Sequence, residues 1–283
     1  MVRRISLVLF FICTLHLPAH AQEAQRNDTL LQEGIQRVLN ENPDLLLDIL
    51  KKNPEQVLEI VEQGVEVRKA AFHKQRLQKE LQNPYKPALE PGRLIMGSLD
   101  APIMIVEYSD FQCPYCIKGA DRVKALMKKY PGKFCLLFKH HTPGDLSKKL
   151  ALYFEAIGLQ SPAKAWAFYD VAFKNRGLIK KEKQEAVDRL IAPLELDMQR
   201  LKKDLEKKEL ADRIAEDYKE VKKFGFTGRP TFLINGVSVR GAAPMEEFER
   251  IIKMVEARDA QEADDVPLDG EEEYCEECEE EEE

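Results

Sequence analysis

The sequence predicts an α/β domain that is preceded by a segment of helices alone. Two continuous apolar runs, residues 103–108 and 134–139, are typical of buried central strands. A long stretch with helical periodicity and no strand, about residues 142–225, follows the second run. A hairpin across Asn235-Gly236 then leads into a closing helix over residues 246–257.

The first residues have the pattern of an export signal. Arg3 and Arg4 precede an apolar stretch, residues 5–17, and a small-residue motif ends at Ala21. The alternative is a membrane anchor, but the apolar stretch is shorter than the ~20 residues that span a bilayer. We therefore expect residues 1–21 to be removed and the mature protein to be periplasmic or secreted, where disulfides persist.

Residues 22–83 are predicted to be helical. Two of the helices begin with Asn-Pro-acid, at Asn42 and Asn53, where the Asn predicts an N-cap and the Pro the first helical position. A segment of this length is too short to enclose a good core, so its apolar stripes pack either on the main domain or on copies of themselves. We favour self-association into a homo-oligomer, because the domain that follows is complete without this segment.

A proline-rich linker over residues 84–92 leads into the main domain, residues 93–258. The predicted order is edge strand, central strand, helix, central strand, helical insert, hairpin and helix. The edge strand covers residues 93–96 and the first helix residues 114–130. The helices of the insert are predicted at residues 146–159, 162–175, 181–191 and 197–224.

The formal net charge of −7 comes from the C-terminal end. Residues 262–283 contain 14 acids and no Lys or Arg, so the chain before them is net positive. We expect residues 259–283 to form a solvated, disordered acidic tail. No basic patch interleaved with aromatic residues indicates a nucleic-acid partner.

The chemistry is indicated by Cys113-Pro114-Tyr115-Cys116, which follows a predicted central strand and opens a helix. Two cysteines three residues apart form a dithiol that can cycle between thiol and disulfide. The free amides at the helix N-terminus favour Cys113 as the exposed, attacking thiolate. Cys116, one turn deeper, is then the resolving thiol that releases a mixed disulfide.

A Cys-x-x-Cys pair can also be half of a zinc site. The usual partner pair lies ~15–20 residues away, whereas the next pair here is Cys275 and Cys278, inside the acidic tail. We therefore favour redox chemistry and expect no metal at Cys113 and Cys116. For Cys275 and Cys278, a metal-binding or redox role and no role at all remain equally open, because neighbouring acids raise thiol pKa values.

Two residues outside the motif stand out. Glu107 lies in the first central strand, where a charge is costly unless it has a partner or a task; the alternative is that it points to water. Pro230 directly precedes a strand that should pair centrally, although proline cannot donate to the ladder. Cys135 is expected to be a buried structural thiol, and His140 and His141 to be loop residues.

The order of elements is that of the thioredoxin fold with a helical insertion before the last hairpin. The chain resembles the secreted DsbA-like thiol oxidoreductases, especially the branch with an N-terminal helical extension that includes ScsC-like proteins. The resemblance is strong over residues 93–258, loose over the N-terminal extension, and does not include the tail.

This resemblance implies roles for several residues. Glu107 would relay a proton to or from the resolving cysteine, with Lys139 as its basic partner. Pro230 would be a cis-proline that faces the dithiol, docks the substrate backbone and blocks metal binding. Substrate contact is further implied for the residues that line the motif and this proline: Pro114, Tyr115, Arg229 and Thr231.

Arg229 departs from the family pattern, in which Thr or Val is common before the proline. A positive charge beside Cys113 would favour the thiolate and make the disulfide more oxidising. We expect this departure to influence the direction of electron flow.

The resulting interpretation is an exported protein thiol–disulfide oxidoreductase, acting as an oxidase or isomerase without a cofactor. Its expected partners are unfolded or misfolded exported proteins and a membrane redox partner that resets the dithiol. The alternative is a soft-metal (copper or zinc) handling or chaperone-like binding protein on the same fold.

Overall fold

The computed structural model describes residues 19–264, with the side chains of residues 30–261. The chain divides into two compact units between Phe72 and His73. Residues 1–18 and 265–283 lie outside the described part, so the predicted export signal falls mostly outside it. Helix α1 begins at Ala19, ahead of the predicted cleavage position after Ala21.

The first unit contains α1 (Ala19–Glu41), α2 (Pro43–Lys52) and the beginning of α3 (Pro54–Gln82). The predicted N-capping role of Asn42 is wrong, because its side chain makes no cap bond to α2. Its amide instead donates to the carbonyl of Val38, 3.0 Å away, at the end of α1. Asn53 donates in the same way to Ile49, 2.7 Å away. The asparagines therefore close the preceding helices, which have unpaired carbonyls at that point.

The second unit is built on a five-stranded sheet in the order β1-β3-β2-β4-β5. The strands are β1 (Ile95–Met96), β2 (Ile103–Ser109), β3 (Phe134–His140), β4 (Thr231–Ile234) and β5 (Val237–Arg240). The central strands β2 and β3 are parallel, and the other three pairings are antiparallel. The predicted element order of this domain is confirmed, with β1 at an edge and the hairpin turning at Asn235-Gly236.

Eight of the α-helices described follow Cys113 in this unit, and six of them, α5 to α10, form the insert. They are α4 (Pro114–Lys129), α5 (Asp145–Gly158), α6 (Pro162–Lys174), α7 (Arg176–Glu182), α8 (Gln184–Ile191), α9 (Met198–Leu205) and α10 (Lys208–Lys223), and α11 (Met245–Asp264) closes the domain. The single helix predicted over residues 197–224 is two helices, α9 and α10. Helix α11 continues six residues beyond residue 258, into the segment predicted to be tail.

The two faces of the sheet carry separate cores, because successive side chains of a strand point in opposite directions. The larger core includes Phe111, Phe138, Phe154 and Tyr169, so helices α5 and α6 of the insert pack on the same face as α4. The smaller core, on the opposite face, includes Val106, Tyr108, Leu137, Val221, Phe226 and Leu233.

The end of α3 covers the outer edge of β5. Glu80 accepts a hydrogen bond from the backbone N–H of Ser238 (2.7 Å), and Arg76 donates to the carbonyl of the same residue (3.1 Å). Leu77 is buried in the larger core. Helix α3 thus satisfies backbone groups that an edge strand would otherwise leave open to another chain.

Candidate active site

Cys113 occupies the N-cap position of α4, with Pro114 as the first helical residue. Cys116 lies in the first turn, and the two thiols are not joined in a disulfide. The prediction that Cys113 is exposed is wrong, since only 5 % of it is accessible, against none of Cys116. The backbone of the loop that leads into β4 lies over Cys113, with the Arg229 carbonyl oxygen 3.7 Å from Cys113 Sγ. Tyr115 is 60 % exposed beside the motif.

The two thiols have opposite acidities. The pKa of Cys113 is lowered to about 6, chiefly by a hydrogen bond from the Cys116 thiol. The backbone amides of Tyr115 and Cys116 and the charge of Arg229 lower it further, while burial opposes them. Burial raises the pKa of Cys116 above that of an ordinary thiol. Near neutral pH the site therefore holds a Cys113 thiolate beside a protonated Cys116.

The Arg229-Pro230 peptide bond is cis, as the resemblance implied. Helix α4 approaches this bond closely at Gly119, where an added Cβ would lie 2.9 Å from Pro230 Cγ and 2.6 Å from Phe232 Cζ. A larger residue would clash there, so Gly119 sets the distance between α4 and the proline. Thr231 turns inward, with 2 % of it exposed and its hydroxyl 3.1 Å from the Gly228 carbonyl.

Arg229 also forms an ion pair with a residue that lies far from it in the sequence. Its Nε lies 3.1 Å from Oδ2 of Asp110, a residue that is 1 % exposed. The other Asp110 oxygen accepts the backbone N–H of Gln112 at 2.8 Å. Asp110 therefore joins the strand-to-helix turn before Cys113 to the loop before Pro230.

His140 is not a loop residue, which corrects the sequence-based expectation, whereas His141 lies in the loop after β3, as expected. His140 is the last residue of β3, is 1 % exposed, and pairs with Glu155 at 2.9 Å. His141 is 6 % exposed. Burial and, secondarily, the charge of Arg229 lower the pKa of His141 to about 4, so this ring is neutral at physiological pH.

Glu107 is fully buried in the middle of β2, so the alternative that it points to water is wrong. The hydroxyl of Tyr169, on α6, donates to Glu107 Oε2 at 2.7 Å. Burial raises the pKa of Glu107 to about 7, with the Tyr169 hydrogen bond opposing. A carboxyl group with this pKa can both accept and release a proton near neutral pH.

Lys139 is not the partner of Glu107, contrary to the expectation. The register places Glu107 beside Phe138, so Lys139, the next residue, points to the opposite face of the sheet. There its Nζ donates to Glu220 at 2.7 Å and to the Ala88 carbonyl at 3.0 Å. The partner of Glu107 is instead Tyr169. In the sequence, Tyr169 looks the same as the other aromatic core residues of the insert.

Cys135 and the metal-binding alternative lie apart from this dithiol. Cys135 is 1 % exposed in β3, and burial raises its pKa, as expected of a structural thiol. Within residues 30–261, no three His, Cys, Asp or Glu side chains are grouped so that they could hold a metal ion. Cys275 and Cys278 lie outside the described residues.

No helix in the described part of the chain is long and apolar enough to cross a bilayer.

Comparison with known proteins agrees with this geometry. A family model described as thioredoxin matches residues 89–254. The probable disulfide bond formation protein D of Bacillus cereus is 30% identical over 152 residues, which are 50% of this chain and 69% of the relative. The disulfide bond formation protein D of Bacillus subtilis is 24% identical, over 57% of this chain and 76% of the relative.

Solved structures share the fold. Wolbachia pipientis alpha-DsbA1 has a TM-score of 0.55 at 20% identity, covering 61% of this chain and 96% of its own. Bacillus subtilis BdbD, in its oxidised form, has a TM-score of 0.51 at 23% identity, with coverages of 61% and 97%. A linker-deletion mutant of Proteus mirabilis ScsC has a TM-score of 0.50 at 19% identity, with coverages of 81% and 96%.

The chain belongs to the thioredoxin family, and within it to the DsbA-like protein thiol–disulfide oxidoreductases. The fold, an α/β thioredoxin domain with helical insertions and N-terminal helices, is the one that the sequence predicted.

Proposed function

We propose that this oxidoreductase is exported and that Cys113 and Cys116 are its reactive pair. The observation that carries the proposal is the opposite acidity of the two thiols, with the pKa of Cys113 lowered to about 6 and that of Cys116 raised. A dithiol with one thiolate and one protonated neighbour can form a mixed disulfide and then resolve it. The export pattern in residues 1–21 supports an oxidising compartment.

The proposed reaction oxidises a substrate dithiol. A substrate thiolate attacks the Cys113 sulfur of the Cys113–Cys116 disulfide, and Cys116 leaves as a thiolate that takes up a proton. The second substrate thiolate then attacks the substrate sulfur of the mixed disulfide, and Cys113 leaves as a thiolate. The substrate gains a disulfide, and both electrons remain on Cys113 and Cys116.

Glu107 is proposed as the proton store for Cys116. A carboxyl group with its pKa raised to about 7 by burial can give a proton to the departing Cys116 thiolate and take one back in the reverse direction. The hydrogen bond from Tyr169 holds the carboxyl group in place.

The low pKa of Cys113 supports oxidation as the preferred direction. Stabilising the Cys113 thiolate stabilises the reduced form, which makes the disulfide a stronger oxidant. Pro230 and the residues around it are proposed to dock the substrate, since the loop before β4 covers Cys113. The expected substrates are unfolded or misfolded exported proteins, and a membrane redox partner would restore the disulfide.

The helices of the first unit are proposed to form a homo-oligomer. No residue of α2 is buried, and large apolar side chains of α1, α2 and α3 remain exposed in the single chain. A predominantly apolar groove lies on α1 and the start of α2, lined by Leu30, Leu31, Gly34, Ile35, Val38, Leu39 and Leu45. Apolar surface of this extent on a soluble unit is typical of an interface, and a second copy of the same helices offers a matching surface.

The reaction is tested with reduced, unfolded ribonuclease as substrate. Oxidised wild-type protein should form ribonuclease disulfides, Cys113→Ser should not, and a chelator should leave the rate unchanged. Metal bound by the wild type together with no disulfide turnover would contradict the proposal and favour the metal-handling alternative. The reduction potential of the dithiol then gives the direction, with about −120 mV expected for a strong oxidant and about −270 mV for a reductant.

The oligomer is tested by light scattering on the mature chain and on a chain lacking residues 22–72. The mature chain should have a multiple of the monomer mass, and the deletion variant should be a monomer that still oxidises ribonuclease. A monomeric mature chain would contradict self-association through these helices.

A further inference from the structure

Ser109 lies between the proposed proton store and the resolving cysteine. It is the last residue of β2, two positions after Glu107, so both side chains project from the same face of the sheet. That is the face against which Tyr169 packs and against which α4 presents Cys116. Ser109, Glu107 and Cys116 each have no accessible surface, so bulk water does not reach any of them.

Two oxygens in this enclosed space have no hydrogen-bond partner among the described residues. The Tyr169 hydroxyl donates a hydrogen bond to Glu107 Oε2, whereas Glu107 Oε1 and Ser109 Oγ are unpaired. Buried polar atoms are nearly always hydrogen-bonded, so two unpaired ones on the same face of one strand need a reason. A serine with only a packing role could be an alanine at no cost, because alanine leaves no hydroxyl to satisfy.

The Ser109 hydroxyl is close to both titrating groups. It lowers the pKa of Glu107 and also that of Cys116, in each case against the larger effect of burial. A hydroxyl has one hydrogen to donate and can rotate to direct it. It can therefore stabilise the Glu107 carboxylate or the Cys116 thiolate, but only one of them at a time.

We propose that Ser109 passes the proton between Cys116 and Glu107. When Cys116 attacks a mixed disulfide at Cys113, its S–H proton moves to Ser109 Oγ while the Ser109 proton moves to Glu107 Oε1. The hydroxyl hydrogen that remains then faces the Cys116 thiolate, which displaces the substrate thiolate from Cys113. One S–S bond breaks and one forms. Cys116 loses one proton and Glu107 gains one, so the protons balance.

The reverse sequence protonates Cys116 when it leaves the disulfide. The hydroxyl donates to the departing Cys116 sulfur and takes a proton from Glu107. This inference rests on the roles proposed above for Cys113 and Cys116, and it predicts that the hydroxyl matters only in steps in which Cys116 gains or loses a proton.

The test uses the reduced, full-length mature protein and a symmetrical aromatic disulfide with a coloured thiolate leaving group. Attack by Cys113 releases one equivalent in a first phase, and attack by Cys116 on the mixed disulfide releases the second. Ser109→Ala should slow the second phase about 100-fold, the lower end of what general acid–base catalysis contributes, and should leave the first phase unchanged. Ser109→Thr, which keeps the hydroxyl, should restore most of the second phase.

A proton measurement separates this role from a structural one. In mixtures of light and heavy water, the wild-type second phase should show the curved dependence of two protons in flight, and Ser109→Ala should lose that curvature. Ser147→Ala, at a buried serine of α5 outside the site, is the matched control and should change neither phase.

Three results would overturn the proposal. An unchanged second phase in Ser109→Ala, or equal slowing of both phases, would show that the hydroxyl transfers no proton. A linear heavy-water dependence in the wild type would show the same. A wild type that releases no second equivalent would instead contradict the roles assigned to the two cysteines.

Discussion

The sulfur of Cys113 lies 3.7 Å from the carbonyl oxygen of Arg229, the residue before the cis-proline. The Arg229 side chain turns back to Asp110, 3.1 Å away, on the turn that leads into Cys113. One residue therefore covers the reactive sulfur with its backbone and places a positive charge beside it. Access to Cys113 and its acidity are both set at Arg229.

The first prediction concerns the acidity of Cys113. Its alkylation rate in the reduced protein should rise with pH around a midpoint near 6, because the thiolate reacts and the Cys116 thiol stabilises it. Arg229→Thr should move the midpoint upward, since the arginine charge lowers the pKa of Cys113. Arg250→Thr, on α11, is the control and should leave the midpoint in place.

An unchanged midpoint in Arg229→Thr would show that this charge does not reach Cys113. The same variant should have a more negative reduction potential than the wild type, because a less stable thiolate makes the disulfide a weaker oxidant.

The second prediction concerns Glu107 and stability. Burial raises the pKa of Glu107 from 4.5 to about 7, so the folded state prefers the protonated carboxyl group. A raised pKa contributes stability below pH ~4.5 that is lost as the pH rises through 7. Glu107→Gln removes this dependence. The free energy of unfolding of the variant minus that of the wild type should therefore increase by about 3 kcal/mol as the pH rises from about 4 to about 8.

Urea unfolding of the reduced protein at several pH values measures this difference. Glu55→Gln, on α3 at an exposed position, is the control and should show no such trend. A difference between Glu107→Gln and the wild type that is the same at all pH values would mean that Glu107 titrates as an ordinary exposed carboxyl group.

The third prediction concerns the close approach of α4 to the proline loop. In Gly119→Ala the new Cβ would meet Phe232 at 2.6 Å and Pro230 at 2.9 Å. Overpacking of this kind destabilises by about 1–3 kcal/mol, and the displaced loop should also slow ribonuclease oxidation. Gly177→Ala, in α7 with open space around it, should instead stabilise by up to about 1 kcal/mol. Equal effects of the two substitutions would show that the contact at Gly119 is unimportant.

The fourth prediction concerns the attachment of α3 to β5. Glu80→Ala leaves the backbone N–H of Ser238 without its partner, and Arg240, 3.3 Å from Glu80, loses one as well. An unsatisfied buried donor costs about 1–3 kcal/mol, so thermal unfolding should shift downward. Glu62→Ala, exposed on the same helix, should change stability little. A Glu80→Ala variant as stable as Glu62→Ala would show that the end of α3 is not held by this contact.

Local patterns were enough to predict much of the site. The Cys113–Cys116 spacing after an apolar strand, the buried charge at Glu107 and the proline before β4 are each visible within a few residues of sequence. The partners of these residues were not visible, because they lie far along the chain. Tyr169 reaches Glu107 from the insert, and its position in an apolar helix does not separate it from a core aromatic.

The error at Lys139 has a simple physical origin. A shift of one residue along a strand moves a side chain to the other face of the sheet. The register sets Glu107 beside Phe138, and sequence alone does not give the register of two parallel strands. At Asn42 and Asn53 the sequence was also ambiguous, because an asparagine between two helices can serve the end of one or the start of the next.

The most direct test of the central claim is to identify the cysteine that attacks a substrate. A Cys116→Ser variant, reduced and mixed with an unfolded protein that contains one disulfide, should accumulate a mixed disulfide because the resolving thiol is missing. Mass spectrometry of the trapped complex should place the substrate on Cys113. A complex linked through Cys135, or no complex at all, would contradict the assignment of Cys113 as the attacking thiolate.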